Sequence, residues 1–227
     1  MGDDLAWPDV PPRALLLVPT GSYEQHGPHL PLHTDTTIAV AVTQRVRAAL
    51  TDAPVLVAPP VAFGASGEHQ DFPGTLSIGT VALRAVVVEL VRSASAWVAR
   101  TVFVNAHGGN LSALREAVAQ LNQEGHDVDW VACGVRGADA HAGHVETSVM
   151  LHLAPHEVRM ERAVAGNLEP IDRLMPALVA DGVRAVSPTG VLGDPCGATA
   201  EAGAAYLTAM VDDVLSRIRA TAGGGRP

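Results

Sequence analysis

ALLLVPTGSYEQHGPHLPLHTDTTIAVAVTQRVRAAL, residues Ala14 to Leu50, decides the fold. Its first part, Ala14–Pro19, is a short uncharged apolar run and reads as a buried strand. Its last part, Thr36–Leu50, reads as an amphipathic helix with Thr34 or Asp35 as its cap. Between them Thr20–Asp35 is polar and rich in Gly, Pro and His. A strand, a long polar loop and a helix make the opening unit of an α/β domain.

The same alternation continues outward. Val55–Ala58 predicts a second strand, and Val81–Ala99 a long helix, apolar on more than one face and therefore buried. Val102–Asn105 predicts a third strand, Leu111–Gln123 a third helix and Trp130–Gly134 a fourth strand. Glu146–Leu153 predicts a short helix stopped near Pro155, and Thr199–Ala220 a last amphipathic helix. The reading is a Rossmann-like three-layer α/β sandwich with a mostly parallel sheet. It forms one domain over residues 1–222, with 223–227 as a flexible tail.

Composition narrows the chemistry. The chain has 227 residues, enough for one domain with a sizeable core. All fifteen basic residues are arginine. Without lysine there is no Walker A lysine and no Schiff-base lysine. A net charge of −9 with no basic cluster argues against nucleic acid as a partner. Cys133 and Cys196 stand far apart and form neither a disulfide scaffold nor a thiolate zinc site. No apolar run is long enough to span a membrane, and the acidic start MGDD lacks a leader pattern. The expectation is a soluble cytoplasmic protein with no membrane partner.

In open α/β sheets, sites gather in loops at the carboxyl ends of strands. The histidines collect in such loops: His26, His29 and His33 after the first strand, His107 after the third, His141 and His144 after the fourth. Glu24 and His26 are two apart, which in an extended segment puts both on one face. Asp35 opens the next helix and can return to the same place. Carboxylates and imidazoles without thiolate form a ligand set for Zn(II), Mn(II) or Fe(II). Taken singly, each residue also suits a plainer role: Asp35 a helix cap, Glu24 a solvated carboxylate, Glu146 a favourable charge at a helix start. His107, beside the flexible Gly108 and Gly109, is a strand-end ligand candidate.

Four blocks then carry a resemblance. GSYEQHGPHLPLHTD (21–35), GASGEH with FPGT (64–69, 72–75), NAHGGN (105–110) and HAGHVETS (141–148) resemble, in order, the creatininase family of amidohydrolases. The likeness runs from about Leu16 to Glu201. It implies a two-metal hydrolase on a Rossmann-like parallel sheet, assembled as a homo-oligomer. Carried over residue by residue, it implies Glu24 and His107 on one metal, His26 and Glu146 on the second, and Asp35 bridging both. It further implies His141 as the proton donor to the leaving nitrogen and Ser66 near the substrate. The chemistry is coherent. Two divalent ions can share a water, lower its pKa towards about 7 and polarise the attacked carbonyl. Three carboxylates offset most of the metals' charge, and a histidine suits proton delivery near neutral pH.

Departures from the pattern bear on the substrate. In creatinine hydrolases a bulky aromatic and then an acidic residue follow the histidine of the NAHGGN block; here they are Gly108 and Gly109. Tryptophans expected just before the HAGHVETS block are replaced by Arg136, Gly137 and Ala138. The small-ring pocket is thus opened, which suits a longer substrate, with Gly108 and Arg136 as substrate contacts. The first block and the Ala/Val/Arg-rich composition resemble a peptidase branch that releases a modified carboxy-terminal Val-Tyr unit from a precursor peptide. The alternatives are a creatinine-type or formamidopyrimidine-nucleotide amidohydrolase, or a non-catalytic metal-binding protein. Lack of lysine weakens the nucleotide reading, and His141 weakens the non-catalytic one. His29 is expected to be structural; His33, His126, His152 and His156 to lie on the surface or in turns. His69 and Glu68 either line the site or do not, and His144 either orients His141 or faces solvent.

Overall fold

The computed structural model describes residues 5–222; the tail expected over 223–227 lies outside them. Four strands form one sheet: β1 (Ala14–Thr20), β2 (Val55–Val57), β3 (Val98–Asn105) and β4 (Val128–Ala132). Their order is β2-β1-β3-β4, and every pairing is parallel. Among the described residues there are six α-helices: α1 (Thr34–Ala49), α2 (Gly79–Ala94), α3 (Leu111–Gln123), α4 (His144–Leu153) and α6 (Ala200–Ala222) flank the sheet, and α5 (Ile171–Val186) lies apart from it.

Alternate residues of β1 face opposite layers. Leu17 packs with Ile38, Val42 and Val46 of α1 and with α4 and α6. Leu16 and Val18 pack with Leu83, Val87 and Val91 of α2 and with α3. The chain moves from β1 to β2 in one direction, then doubles back past β1 to β3. Crossovers of one hand then place α1 and α2 on opposite faces. The reversal makes a crevice at the carboxyl ends of β1 and β3, where ligands bind in such sheets.

Several elements differ from the sequence expectation. The second helix stops at Ala94, because a turn (Trp97 N–H to Ala94 O, 3.0 Å) feeds β3, which begins at Val98 rather than Val102. Its outer face is not buried: Val81 is 86% exposed, and Val86 and Leu90 are exposed too. The fourth strand runs Val128–Ala132, two residues earlier than expected, in register with Thr101–Asn105. His33, not Thr34 or Asp35, holds the α1 N-cap position, with no side-chain cap. The Thr34 hydroxyl donates instead to Pro31 O (2.7 Å), and Asp35 turns into the crevice. Helix α5 has no counterpart in the sequence reading. It contains Pro176, breaks at Gly182 (φ 75°), and packs Leu174, Leu178 and Val183 on a small separate cluster with Phe72.

Candidate metal centre and active site

The crevice gathers residues from four segments. Glu24 and His26 come from the loop after β1, Asp35 from the first turn of α1, His107 from the end of β3, and His141 and Glu146 from the segment after β4. All but the half-buried Glu146 are buried. Side chains outside the cluster hold the loops together. The Asn110 amide donates to Gly21 O and Asn105 Oδ1 and accepts from Ala65 N–H. Gln25 N–H donates to the Thr75 hydroxyl, and Leu76 N–H to Tyr23 O, so the FPGT stretch runs beside the first loop.

Asp35 is the hub. Its Oδ1 lies 3.1 Å from His26 Nε2, and its Oδ2 lies 3.2 Å from His107 Nδ1. Oδ2 also accepts a hydrogen bond from the Ser22 hydroxyl (2.8 Å). Among the described residues, three groups of ligand atoms are close enough to share an ion: Glu24, Asp35 and His107; His26, Asp35 and Glu146; Glu24, His26 and His141. Asp35 belongs to the first two, so one carboxylate joins two sites.

Glu24 is fully buried, yet neither of its oxygens has a hydrogen-bond partner. Imidazole nitrogens of His107, His69 and His141 face them at 3.2, 3.3 and 3.9 Å without making one. A buried carboxylate left without donors is costly unless a cation satisfies it. The donor set of three carboxylates and two or three imidazoles fits a divalent metal. His26 Nδ1 lies 3.1 Å from Glu24 O; donating there leaves Nε2 as its ligand atom, the arrangement that orients metal-binding histidines.

The electrostatics carry the same sign. Burial disfavours the charged form of every group here, but neighbouring charges overcome it at the hub. Against burial, Asp35, Glu146 and Glu24 raise His26 to about 10, and Glu24 and Asp35 raise His107 well above the usual imidazole range. Burial is likewise outweighed at Asp35 by His26 and His107, and at Glu24 by His107; both stay below the usual carboxylate range. Glu146, dominated by burial, is pushed up to about 7. Burial, helped by neighbouring imidazoles, pushes His69 down to about 3 and His141 well below its ordinary value, so both are neutral. The cluster is thus built to hold positive charge around Asp35, with two neutral imidazoles on one flank.

Glu146 and His141 depend on one loop. Asp139 caps α4, its carboxylate accepting from His144 N–H and Val145 N–H. Glu146 Oε2 accepts from Ala142 N–H (2.6 Å), and Ala142 sits in the left-handed region (φ 52°). His141 is fixed by backbone pairing with Leu192.

A cavity of about 230 Å³ opens on the cluster. Its polar side is Asp35, His107, His141 and Glu146; Leu111 and Met210 belong to its apolar wall. Gly108 lines it, and a side chain there would meet open space. Gly109 is different. A Cβ at that position would lie 2.5 Å from Glu68 Oε1 and would clash with Ala65 O. The missing side chain therefore opens the pocket at Gly108 only; at Gly109 Glu68 has filled the space. Ser66 is buried behind His107 (Oγ to Nε2, 3.4 Å) and is not part of the cavity wall. Arg136 is exposed on the loop after β4, also outside the wall.

His69 joins the site, 3.3 Å from Glu24 and with its ring 4.5 Å from that of His141. His29 is buried, 2.9 Å from the Thr147 hydroxyl. His144 turns away towards Gly197 O and Tyr206, so it does not orient His141. Gln25 and Asp139 are the residues that motif reading alone passes over. For Gln25 the only signal is its place between two ligand candidates.

This architecture and site define a class. The sequence profile of the creatininase family, described as creatinine amidohydrolase, matches residues 3–218. The chain belongs to the creatininase family of amidohydrolases. Within it, the chain is 55% identical over 218 residues to a protein of Mycobacterium ulcerans named mycofactocin precursor peptide peptidase, covering 93% of this chain and 85% of that one. A protein of Mycolicibacterium smegmatis with the same name is also 55% identical, covering 90% and 84%. Among solved structures, a zinc–zinc form of a glutamate-to-glutamine mutant of creatininase has a TM-score of 0.74 and 25% identity, over 93% of this chain and 92% of that one. Among the described residues, no helix is long and apolar enough to cross a membrane.

Proposed function

We propose that this amidohydrolase is a two-metal peptidase that cleaves the mycofactocin precursor peptide, releasing its modified carboxy-terminal Val-Tyr unit. The observation that carries the two-metal reading is Asp35, shared between the Glu24–His107 and His26–Glu146 groups. Zn, Fe(II) and Mn all suit these ligands. The peptide reading is supported by the peptidase-named relatives and by the open wall at Gly108.

When bound, the two metals activate a water and polarise the scissile carbonyl. Asp35 holds the two halves of the site in register. Leu111 and Met210 exclude water from one side, which strengthens the field of the charged groups. His141 takes a proton from the attacking water as its oxygen joins the carbonyl carbon. It returns that proton to the nitrogen as the C–N bond breaks, leaving a carboxylate and a free amine. Gly108 gives the peptide room, and the exposed Arg136 serves as an outer contact of a longer substrate, while Ser66 acts from behind His107.

The protein is further proposed to act in the cytoplasm as a homo-oligomer, with neither nucleic acid nor membrane as partner. The exposed apolar residues of α2 support assembly, and the two free cysteines support a reducing compartment. The test is turnover by metal-loaded enzyme on a Val-Tyr-ending modified peptide, creatinine and a formamidopyrimidine nucleotide. Cleavage of the peptide alone supports the proposal; activity only on a small ring compound overturns it.

A further inference from the structure

Gln25 stands between His69 and His141, and its hydrogen-bond accounting closes in one way only. Two backbone groups fix which end of the amide is which. Oε1 accepts from Gly27 N–H at 2.8 Å, and Nε2 donates to Gly190 O at 3.1 Å. Exchanging the two ends would set oxygen against oxygen and N–H against N–H. The –NH₂ therefore has one hydrogen left, and His69 Nδ1 lies nearest at 2.8 Å. His69 must accept it, so its proton sits on Nε2, 3.3 Å from Glu24 Oε1.

With both amide hydrogens used, His141 Nε2, 3.1 Å from Gln25 Nε2, has nothing to accept from it. It lies 2.9 Å from the Gln25 backbone carbonyl and must donate there. His141 then presents a bare Nδ1 towards the cluster, 3.9 Å from Glu24 Oε1. Both imidazoles carry their proton on Nε2, but they stand in opposite senses. His69 turns an N–H towards the cluster and His141 turns a bare nitrogen towards it.

We propose that Gln25 is the positioning residue of the reaction, turning the Nε2–H of His69 towards Glu24 and setting His141 Nδ1 as the atom that takes up and returns the proton. This rests on the hydrolytic reading above and names the atom through which it works. A backbone carbonyl and a neighbouring amide do for His141 what a carboxylate does for the histidine of a catalytic triad, fixing tautomer and ring orientation.

Gln25→Glu keeps the size of the side chain but has no hydrogen to give His69 or Gly190. In the zinc-loaded enzyme, this variant is expected to keep its two metals and a KM within about threefold, while kcat falls about 10²-fold or more. Side-chain ¹⁵N shifts of the wild-type zinc enzyme are expected to show Nε2–H for both His69 and His141, and Gln25→Glu is expected to move His69 to Nδ1–H. Wild-type kcat in the variant overturns the proposal, as does Nδ1–H at either histidine in the wild type. Loss of metal in the variant also overturns it, since Gln25 would then build the metal site rather than aim the imidazoles. The wild-type spectrum decides the matter even if the variant does not fold. Failure of the hydrolytic reading would appear separately, as no turnover by the metal-loaded wild type.

Discussion

Asp35 Oδ2 lies 3.2 Å from His107 Nδ1, joining the first turn of α1 to the end of β3. The contact spans the point where strand order reverses, so the fold itself brings the two residues together. Asp35 reaches His26 with its other oxygen, and the two halves of the site share it.

Asp35→Ala removes that shared group. The variant is expected to fold, since the lost contacts lie in the crevice rather than in either apolar layer. Its metal content should fall from about two ions per chain to a trace, with turnover lost. Elemental analysis with circular dichroism checks both halves of this expectation. Retention of a full ion at either site would show that the halves assemble independently.

His141→Ala separates proton transfer from metal binding. His141 also falls in a grouping with Glu24 and His26, so the two roles compete. The expected outcome is unchanged metal content and a fall in kcat of about 10²–10⁴-fold with little change in KM. A loss of metal would make His141 a ligand.

Gly108 and Gly109 should respond in opposite ways. Gly109→Ala forces a methyl group against Ala65 O, Glu68 Oε1 and His107 Nε2, and is expected to cost about 1–3 kcal/mol and to weaken metal binding. Gly108→Ala points into open space and should leave stability and metal content unchanged. Gly108→Trp should narrow the cavity and raise KM for the peptide. Thermal melts and steady-state kinetics distinguish the three variants.

Asp139→Ala removes the cap of α4. The loss of a capping carboxylate typically costs about 1 kcal/mol, or about 2–4 °C in Tm for a chain of this size. Because Glu146 is in the first turn of the same helix, metal affinity should fall as well. A drop in Tm with wild-type metal affinity would show that Glu146 is held without Asp139.

The alternation of strands and helices is legible in the sequence because apolar runs and helical spacing are local signals. Where the expectation slips, a neighbouring element decides. The first residues of β3, Val98 and Ala99, continue the apolar spacing of α2, and only the turn at Trp97 divides them. Helix α5 has an amphipathic spacing, but Pro176 and Gly182 interrupt it, and its apolar face leans on Phe72 across the chain rather than on the main core. The ligand candidates are legible because their residue types are rare together and sit at strand ends. Their supports are not. Gln25 acts through Gly190, His69 and His141, which are 165, 44 and 116 residues away. Glu68 fills the space at Gly109 only once two loops have met.

The central claim, two metals held on one carboxylate, is tested most directly by anomalous diffraction from crystals of the zinc-loaded enzyme. The account predicts two zinc peaks per chain, one beside Glu24 and His107, the other beside His26 and Glu146, with Asp35 between them. A single peak, or two peaks that do not share Asp35, would contradict it.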